Sequence, residues 1–321
     1  MNSELYQPIV HRFALLTVCA ALLPIAVGAL VTTTKSGMAF PDWPSSDGHN
    51  MFLYPWLDAA FDKFIEHGHR LAGILVGVVS IGLAVVTCRK DPRKAVRVMS
   101  VLVLLGVILQ GVLGGIRVRM NSELLAMIHG SFAALVFSLM AAVMLVTSRS
   151  WRNYDPQPDD DEARSLKPFA VGLALAIFGQ YVLGGLLRHL GLMLHEHIGL
   201  AVIVFLFAIG TFVFTHFTRI SWLQRTAQCL VVLLVLQVAL GVGTFVTKFG
   251  FAPTGYVAVY GSIPQVVLAT THQVVGALLF MTSVMYAVRV FRASLPPQSP
   301  SVLCSASNGL EQSGAARGGV G

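Results

Sequence analysis

Two stretches of the sequence match each other without a gap: Ala126-Met-Ile-His129-Gly-Ser-Phe-Ala-Ala-Leu-Val-Phe137 and Ala269-Thr-Thr-His272-Gln-Val-Val-Gly-Ala-Leu-Leu-Phe280. Each stretch is rich in apolar residues, carries one histidine and lies within an apolar run long enough to cross a membrane. The match therefore places two predicted membrane spans, the fourth and the eighth, in equivalent positions of an internal repeat.

Further matches extend this repeat to the other spans. His69 precedes Gly82 by the same interval that separates His197 from Gly210, which pairs the second span with the sixth. Three odd-numbered spans share a glutamine motif: Gln110-Gly-Val-Leu-Gly-Gly115, Gln180-Tyr-Val-Leu-Gly-Gly185 and Gln237-Val-Ala-Leu-Gly241. The sequence thus predicts two halves with the same orientation, as in parallel membrane repeats.

The composition is typical of a polytopic membrane protein. Mean hydropathy is +0.73, and 55% of the 321 residues are hydrophobic while 12% are charged. Runs of roughly 20 apolar residues occur near 12–33, 68–87, 98–116, 125–147, 168–187, 196–215, 227–246 and 270–291. The predicted fold is all-α, with eight transmembrane helices in two parallel four-helix repeats about a pseudo-twofold axis along the membrane normal.

The repeat and the composition predict four segments. An N-terminal four-helix half covers residues 1–147, and a C-terminal four-helix half covers 168–293. A cytoplasmic acidic linker at 148–167 joins the halves. Residues 294–321 are rich in Ser, Gly and Pro, which predicts a disordered tail.

The distribution of the +7 net charge indicates orientation rather than an anionic partner. Most of the 22 lysine and arginine residues fall on one side of the predicted spans, in groups such as Arg89, Lys90, Arg93, Lys94 and Arg97. The positive-inside rule then places both termini in the cytoplasm, with the chain in a bacterial cytoplasmic membrane. The surrounding partner is the lipid bilayer, and nucleic-acid binding is excluded.

Four histidines stand near the outer ends of the even-numbered spans: His69, His129, His197 and His272. A polar side chain at membrane depth is costly without a partner, so histidines in register favour metal or metallocofactor ligation over ordinary helix packing. A small residue follows each at four positions, on the same helix face: Gly73, Ala133, Ala201 and Gly276. We expect His69 with His129, and His197 with His272, to supply the axial ligands of two haems.

Charged residues near these histidines predict chemistry in the first half. Glu66 lies three positions before His69, shares its helix face and is expected to be the catalytic residue, whereas the second half has no carboxylate there. A carboxylate that is merely solvated or paired with Arg70 is the alternative. Basic residues on this side pair with haem carboxylates or act as interfacial anchors: Arg70, Arg117, Arg119 and Arg188.

The motif at the second span, Phe64-Ile-Glu66-His67-Gly-His69-Arg70-Leu-Ala-Gly73, resembles the signature of the haem A synthase family. The resemblance runs from Gly28-Ala-Leu-Val-Thr-Thr-Thr-Lys-Ser-Gly37 to Thr271-His272-Gln273. Members of that family oxidise the methyl group of haem O to the formyl of haem A, by successive hydroxylation, for cytochrome oxidase. The resemblance implies substrate haem O between His69 and His129, haem b between His197 and His272, and Glu66 beside the reacting edge.

The resemblance also implies partners. These are a haem O synthase, an electron donor that the motifs do not identify, and cytochrome oxidase assembly factors, while a homo-oligomer is left open. Many bacterial relatives carry a cysteine pair in the first outer loop, where this chain has Met38-Ala-Phe-Pro-Asp-Trp-Pro44. We therefore expect reductant delivery to differ in this chain.

Two other functions are compatible with intramembrane histidines. A two-haem electron-transfer cytochrome, such as a quinol oxidoreductase without haem-modifying activity, often places two histidines on one helix at a spacing that is absent here. A haem transporter or chaperone is expected to have a tryptophan-rich outer loop, but only Trp43 and Trp56 lie on that side. The presence of Glu66 also favours chemistry over electron transfer alone.

Overall fold

The computed structural model describes residues 6–154 and 162–295, and within them the chain forms eight long helices and no strand. The helices are α1 (Pro8–Thr33), α2 (Phe61–Lys90), α3 (Lys94–Arg119), α4 (Glu123–Thr147), α5 (Lys167–Leu190), α6 (Leu194–Phe217), α7 (Ser221–Phe249) and α8 (Ile263–Ala293). All eight are long and apolar enough to cross a membrane. The predicted all-α fold with eight spans is confirmed.

The helices extend beyond the predicted spans on the outer side. The α2 helix begins at Phe61 and α8 begins at Ile263, whereas hydropathy placed these starts at 68 and 270. His69 and His272 therefore lie about two turns inside their helices, and their predicted position at the start of a span is wrong. Hydropathy marks only the apolar part of a helix, while backbone hydrogen bonds continue through polar residues.

Local sequence explains two helix ends and one missing backbone hydrogen bond. The Ser122 hydroxyl accepts a hydrogen bond from the backbone N–H of Leu125 and caps α4. Gly191 ends α5 in the left-handed conformation, at a φ of 70°. Pro24 lies inside α1, where it cannot donate a backbone hydrogen bond.

Each half has the same order of neighbouring helices. In the first half α1 packs on α2, α2 on α3, α3 on α4 and α4 back on α1. In the second half α5, α6, α7 and α8 contact each other in the same cyclic order. Between the halves α4 contacts α8, while α1 contacts α8 and α4 contacts α5. A parallel repeat requires this order, and the pseudo-twofold axis itself stays a prediction.

The core runs along the boundary between the halves. The central windows of α4 and α8 are 61% and 50% buried inside the protein, more than any other span, so these helices are central. One apolar cluster lies in the first half around Leu83, Val103 and Phe137, and another in the second half around Leu173 and Tyr286. Each cluster also takes in residues of the other half, Ala134 of α4 in the second-half cluster and Met281 of α8 beside the first-half one, so α4 and α8 join the two clusters.

The predicted linker and tail are only partly described. Residues 148–154 and 162–167 contain the short helices Arg149–Arg152 and Glu162–Ser165. Residues 155–161, which carry most of the linker's acidic run, and the tail from 296 to 321 lie outside the described residues. The predicted linker and disordered tail therefore stay predictions.

A buried carboxylate fixes the turn between α2 and α3. Asp91 is 2% exposed, and the Arg93 side chain binds both of its carboxylate oxygens, at 2.9 and 2.7 Å. Burial alone would raise the pKa of Asp91, but the hydrogen bonds from Arg93 and the positive charges of Arg93 and Arg152 outweigh burial and lower it. Arg93 also donates to the carbonyl of Val146, which ties this turn to the end of α4.

Candidate functional site

The four predicted histidines form two opposed pairs. The ring centres of His69 and His129 are 6.3 Å apart, with the ring planes at 80°. Those of His197 and His272 are 6.5 Å apart, at 78°. A metal–imidazole nitrogen bond is about 2 Å long, so two rings that ligate one metal from opposite sides have centres roughly 6 Å apart. Both pairs therefore fit a metal bound between them.

The remaining ligands at each pair must come from the bound group itself. Within residues 6–154 and 162–295 there is no cluster of three or more His, Cys, Asp or Glu side chains that could hold a bare metal ion. Two imidazoles alone suit a metal whose other positions are filled by a planar macrocycle, as in haem. The Nδ1 atoms of His69 and His129 are also buried without a hydrogen-bond partner in the described structure.

A glycine on the neighbouring odd-numbered helix lies against each histidine ring. A Cβ atom added at Gly28 of α1 would stand 2.7 Å from Cε1 of His69. The corresponding distances are 3.0 to 3.1 Å for the other three, Gly114 with His129, Gly184 with His197 and Gly241 with His272. A side chain at Gly28 would therefore displace the His69 ring, and one at the other three glycines would require the facing ring to move slightly.

These glycines were not among the predicted site residues. The prediction used the residue four positions after each histidine, and one of these, Gly73, has no atom within 4 Å of an added Cβ. It is compatible with free space beside the ring but does not contact it. A signal was present in the repeat, since Gly114, Gly184 and Gly241 each lie four positions after the shared glutamine.

Glu66 is buried and fully hydrogen-bonded. Its side chain is 1% exposed, and Oε1 lies 2.9 Å from the Arg70 guanidinium. The other oxygen accepts hydrogen bonds from the backbone N–H groups of Ala39 and Phe40, at 2.8 and 3.2 Å. Of the structural alternative to a catalytic role, the solvated carboxylate is wrong and the pair with Arg70 is present, while the catalytic role of Glu66 stays a prediction. Glu66 also ties the first outer segment to α2.

The first outer segment, residues 34–60, is fastened over α2. Arg70 donates to the backbone carbonyls of Ser45 and Asp42, at 2.8 and 3.1 Å. His67 lies under this segment, 1% exposed, with Nδ1 3.2 Å from the Ser46 hydroxyl. The hydrogen bond of His67 is thus with this segment and not with the histidine pair.

Hydrogen bonds within the same segment lower the pKa of Asp42. Its carboxylate accepts the backbone N–H groups of Asp47 and Gly48, each at 2.9 Å. Slight burial works in the opposite direction, but these bonds and one from the Ser45 side chain outweigh it. The ionised carboxylate therefore holds this turn closed at neutral pH.

Trp43 connects the outer segment to α3. Its ring lies so close to Gly115 that an added Cβ would overlap it. Gly115 directly follows Gly114, the residue against which the His129 ring packs. The tryptophan therefore packs on α3 one residue along from the glycine that contacts His129, a contact that the sequence did not predict.

The predicted basic residues have different surroundings. The guanidinium of Arg117 lies against Gly37 and is close enough to Glu66 and Arg70 for electrostatic interaction. Arg188 bridges the halves, because it donates to Ala29 and Thr33 of α1, at 2.5 and 2.6 Å, and reaches Gln273 of α8 at 3.4 Å. Arg119 is exposed. Only Arg70 and Arg117 lie at the first pair.

Comparisons with known proteins identify the family of this chain. The model of the COX15-CtaA family, described as cytochrome oxidase assembly protein, matches residues 11–198. A protein named "Heme A synthase" from Shouchella clausii is 29% identical over 233 residues, 70% of this chain and 73% of that protein. Proteins of the same name from Symbiobacterium thermophilum and Halalkalibacterium halodurans are each 31% identical, over 53% and 52% of this chain. The last two alignments span 56% and 53% of those relatives.

Proposed function

This chain belongs to the COX15-CtaA family of cytochrome oxidase assembly proteins, and on that basis we propose that it is a haem A synthase, which oxidises the methyl group of haem O to the formyl of haem A by successive hydroxylation. The observation that carries this proposal is the presence of two opposed histidine pairs at ring separations of 6.3 and 6.5 Å. The relatives named "Heme A synthase" support it and do not favour an electron-transfer cytochrome.

The two pairs have different tasks in this proposal. His197 and His272 would hold a haem b, which when bound supplies one-electron transfer. His69 and His129 would hold haem O, the substrate, in the half that also contains Glu66. The protein's contribution at the first site is to fix the plane of the substrate ring, because the Gly28 and Gly114 contacts restrict both imidazoles.

The outer segment excludes water from the first site. Trp43 lies against Gly115 of α3, the residue after the glycine that contacts His129, while Arg70 and Glu66 fasten the segment to α2. Exclusion of water protects an oxidised intermediate from side reactions and strengthens nearby electrostatic interactions. Arg117 would pair with a carboxylate of the substrate, since it lies next to this segment and is mostly shielded from water.

Glu66 would hold or move the proton that each hydroxylation requires. Its carboxylate is one helical turn from His69 and already accepts three hydrogen bonds. Conversion of the methyl to the formyl passes through the alcohol and the geminal diol, which loses water. A buried carboxylate beside the diol can take the proton from one hydroxyl and deliver it to the other, which then leaves as water.

The partners of this reaction follow from its chemistry. A haem O synthase supplies the substrate, cytochrome oxidase assembly factors receive the product, and an electron donor supplies reducing equivalents. The segment 34–60 contains no cysteine, so a thiol relay through it is not part of the proposal. The chain would act in a bacterial cytoplasmic membrane with both termini in the cytoplasm, as a monomer or homo-oligomer.

Co-expression with a haem O synthase in a host that lacks haem A tests the function. We expect extracted pigments to contain the formyl haem with the native chain. Glu66→Ala should lose the product but keep the absorption of the second-half haem, and Glu66→Gln, which keeps an oxygen for the backbone N–H groups of Ala39 and Phe40 but no charge for Arg70, should also lose product. Normal haem A formation by Glu66→Gln would contradict the catalytic role, and the absence of haem A with the native chain would contradict the proposed function.

A further inference from the structure

A shallow groove lies where α2 ends and α3 begins, at the end of the bundle opposite segment 34–60. Its volume is about 410 Å³, and it is lined by Cys88, Lys94, Arg97, Val98, Val101 and Leu102. The two basic residues belong to the first turn of α3, and the three apolar residues follow them toward the middle of the span. The groove therefore joins positive charge at the end of a span to apolar surface along it.

Lys94 and Arg97 have no acidic partner among the residues that the structure describes. The carboxylate nearest to them in sequence, Asp91, is buried and is bound through both oxygens by Arg93. No side chain caps the start of α3, so its first backbone N–H groups add partial positive charge. This end of the groove thus carries positive charge that no described group neutralises, which favours binding of an anion.

The apolar part of the groove lies on the outer surface of the bundle. Val98, Val101 and Leu102 are all exposed there. Each basic residue stands four positions before an apolar one, Lys94 before Val98 and Arg97 before Val101. Because residues four apart share a helix face, charge and apolar surface lie on the same side of α3. A molecule with a phosphate at one end and an acyl chain at the other matches this order.

The second half has no charged residues at the positions that match the two cations. The shared glutamine motif aligns α3 with α7, and in this alignment Ser221 stands at the position of Lys94. Gln224 stands at the position of Arg97. Its amide nitrogen donates to two backbone carbonyls near the end of α6, at 3.1 and 2.6 Å, so it is already occupied.

The apolar part is interrupted in the second half as well. In the same alignment the positions of the three apolar residues hold Arg225, Gln228 and Cys229. The two halves therefore share their histidine pairs but not this combination of charge and apolar surface. The combination does not follow from the repeated fold, which suggests a task that only the first half performs.

We propose that the groove binds an anionic phospholipid of the surrounding membrane, with the phosphate at Lys94 and Arg97 and an acyl chain along the apolar residues. Basic pockets between membrane helices are typical sites for such headgroups. A free phosphate would use only the two cations, whereas a phospholipid also covers Val98 and Val101. The inference is independent of the haem chemistry, because the groove lies at the end of the bundle away from both histidine pairs.

Native mass spectrometry of the purified full-length chain tests this inference. The chain is stripped of lipid in a neutral detergent and titrated with dioleoyl phosphatidylglycerol, which is anionic, or with dioleoyl phosphatidylcholine, which has the same acyl chains but no net charge. We expect the first phosphatidylglycerol to bind roughly tenfold more tightly, because each basic residue near the headgroup attracts the anionic lipid. Equal affinities for the two lipids would overturn the inference, and so would displacement of the bound lipid by inorganic phosphate.

Removing the two cations should abolish this preference. Lys94→Gln/Arg97→Gln should weaken phosphatidylglycerol binding by roughly tenfold and change phosphatidylcholine binding little. Arg219→Gln/Arg225→Gln, the matched control, removes two exposed positive charges from the same end of the second half and should leave both affinities within about twofold. Thermal unfolding of the variants in detergent checks that each is folded. An equal loss of phosphatidylglycerol binding in the two double variants would contradict the assignment to this groove.

Two cysteines report where the lipid binds. Cys88 is exposed in the groove, and Cys229 is exposed on α7 at the position that matches Leu102. Phosphatidylglycerol should slow the alkylation of Cys88 by a maleimide several-fold and leave Cys229 unchanged, as measured by mass spectrometry of the peptides. In Lys94→Gln/Arg97→Gln the lipid should no longer protect Cys88. Equal protection of both cysteines, or none at Cys88, would show that the lipid binds elsewhere and would overturn the inference.

Discussion

The paired histidine rings are 6.3 Å apart in the first half and 6.5 Å apart in the second. The connections between helices differ much more, because residues 34–60 join α1 to α2 whereas only residues 191–193 join α5 to α6. The ring geometry and the glycine contacts are shared. The outer segment, the buried Glu66–Arg70 pair and Pro24 occur in the first half only. Similar bundles thus carry similar histidine pairs in different surroundings, and this difference is the reason for proposing a different task for each pair.

The positions that match the ion pair show how local this difference is. By histidine register, Leu194 corresponds to Glu66 and Ile198 to Arg70. Both are apolar, so the second half has no charge there to fasten a loop or move a proton. The two halves therefore differ at these two helix positions as well as in their outer loops.

Removing one member of the buried ion pair should change the first half most while leaving the second half unchanged. Arg70→Leu leaves the Glu66 carboxylate buried without its cation, which costs about 3–5 kcal/mol. We expect segment 34–60 to detach, seen as faster hydrogen–deuterium exchange of its backbone amides, with the second half unaffected.

A second ion pair in the same segment provides the control. Lys63 and Asp47 are 2.5 Å apart, but their side chains are 34% and 31% exposed. Lys63→Met should therefore change exchange little, because such exposed pairs contribute about 0–1 kcal/mol. Equal effects of Arg70→Leu and Lys63→Met would contradict the anchoring role of the buried pair.

Displacing Trp43 from α3 should have an intermediate effect. In Gly115→Ala the new methyl group overlaps the Trp43 ring, and such overpacking costs about 1–3 kcal/mol. We expect faster exchange in segment 34–60 and faster haem release from the first site. Gly111→Ala, one turn away on α3, adds a Cβ with no atom within 4 Å and should change neither measurement. An unchanged first-site release rate in Gly115→Ala would show that the tryptophan does not cover that site.

Replacing the glycines that contact the histidine rings by alanine should have the smallest effect. The loss of haem affinity should differ between the halves. An added Cβ at Gly28 stands 2.7 Å from the His69 ring, but at Gly241 it stands 3.1 Å from the His272 ring. Gly28→Ala should therefore weaken first-site haem affinity by about 1 kcal/mol, and Gly241→Ala should weaken the second site less, as measured by absorbance titration. Gly73→Ala, with open space at its Cβ, serves as the control. The reverse order would mean that the two rings are not held in the same way.

Several features of the fold and the site could be predicted from local sequence. Apolar runs predicted eight spans, and helical spacing placed the four histidines on even-numbered helices, because both depend only on residues near each other in the chain. The burial of Glu66 was not predicted, since it depends on the backbone N–H groups of Ala39 and Phe40, which belong to a distant segment. The same holds for the contact between Trp43 and Gly115.

By itself the sequence determined that this chain crosses a membrane with eight helices and carries histidines at matched positions, because hydropathy and periodicity are properties of single helices. Only the tertiary structure decided that the rings oppose each other at about haem-ligand spacing, that glycines of the odd-numbered helices make room for them, and that Glu66 is buried against the backbone of a distant segment. These contacts join residues on different helices, and which helix faces which is set by packing rather than by any local pattern.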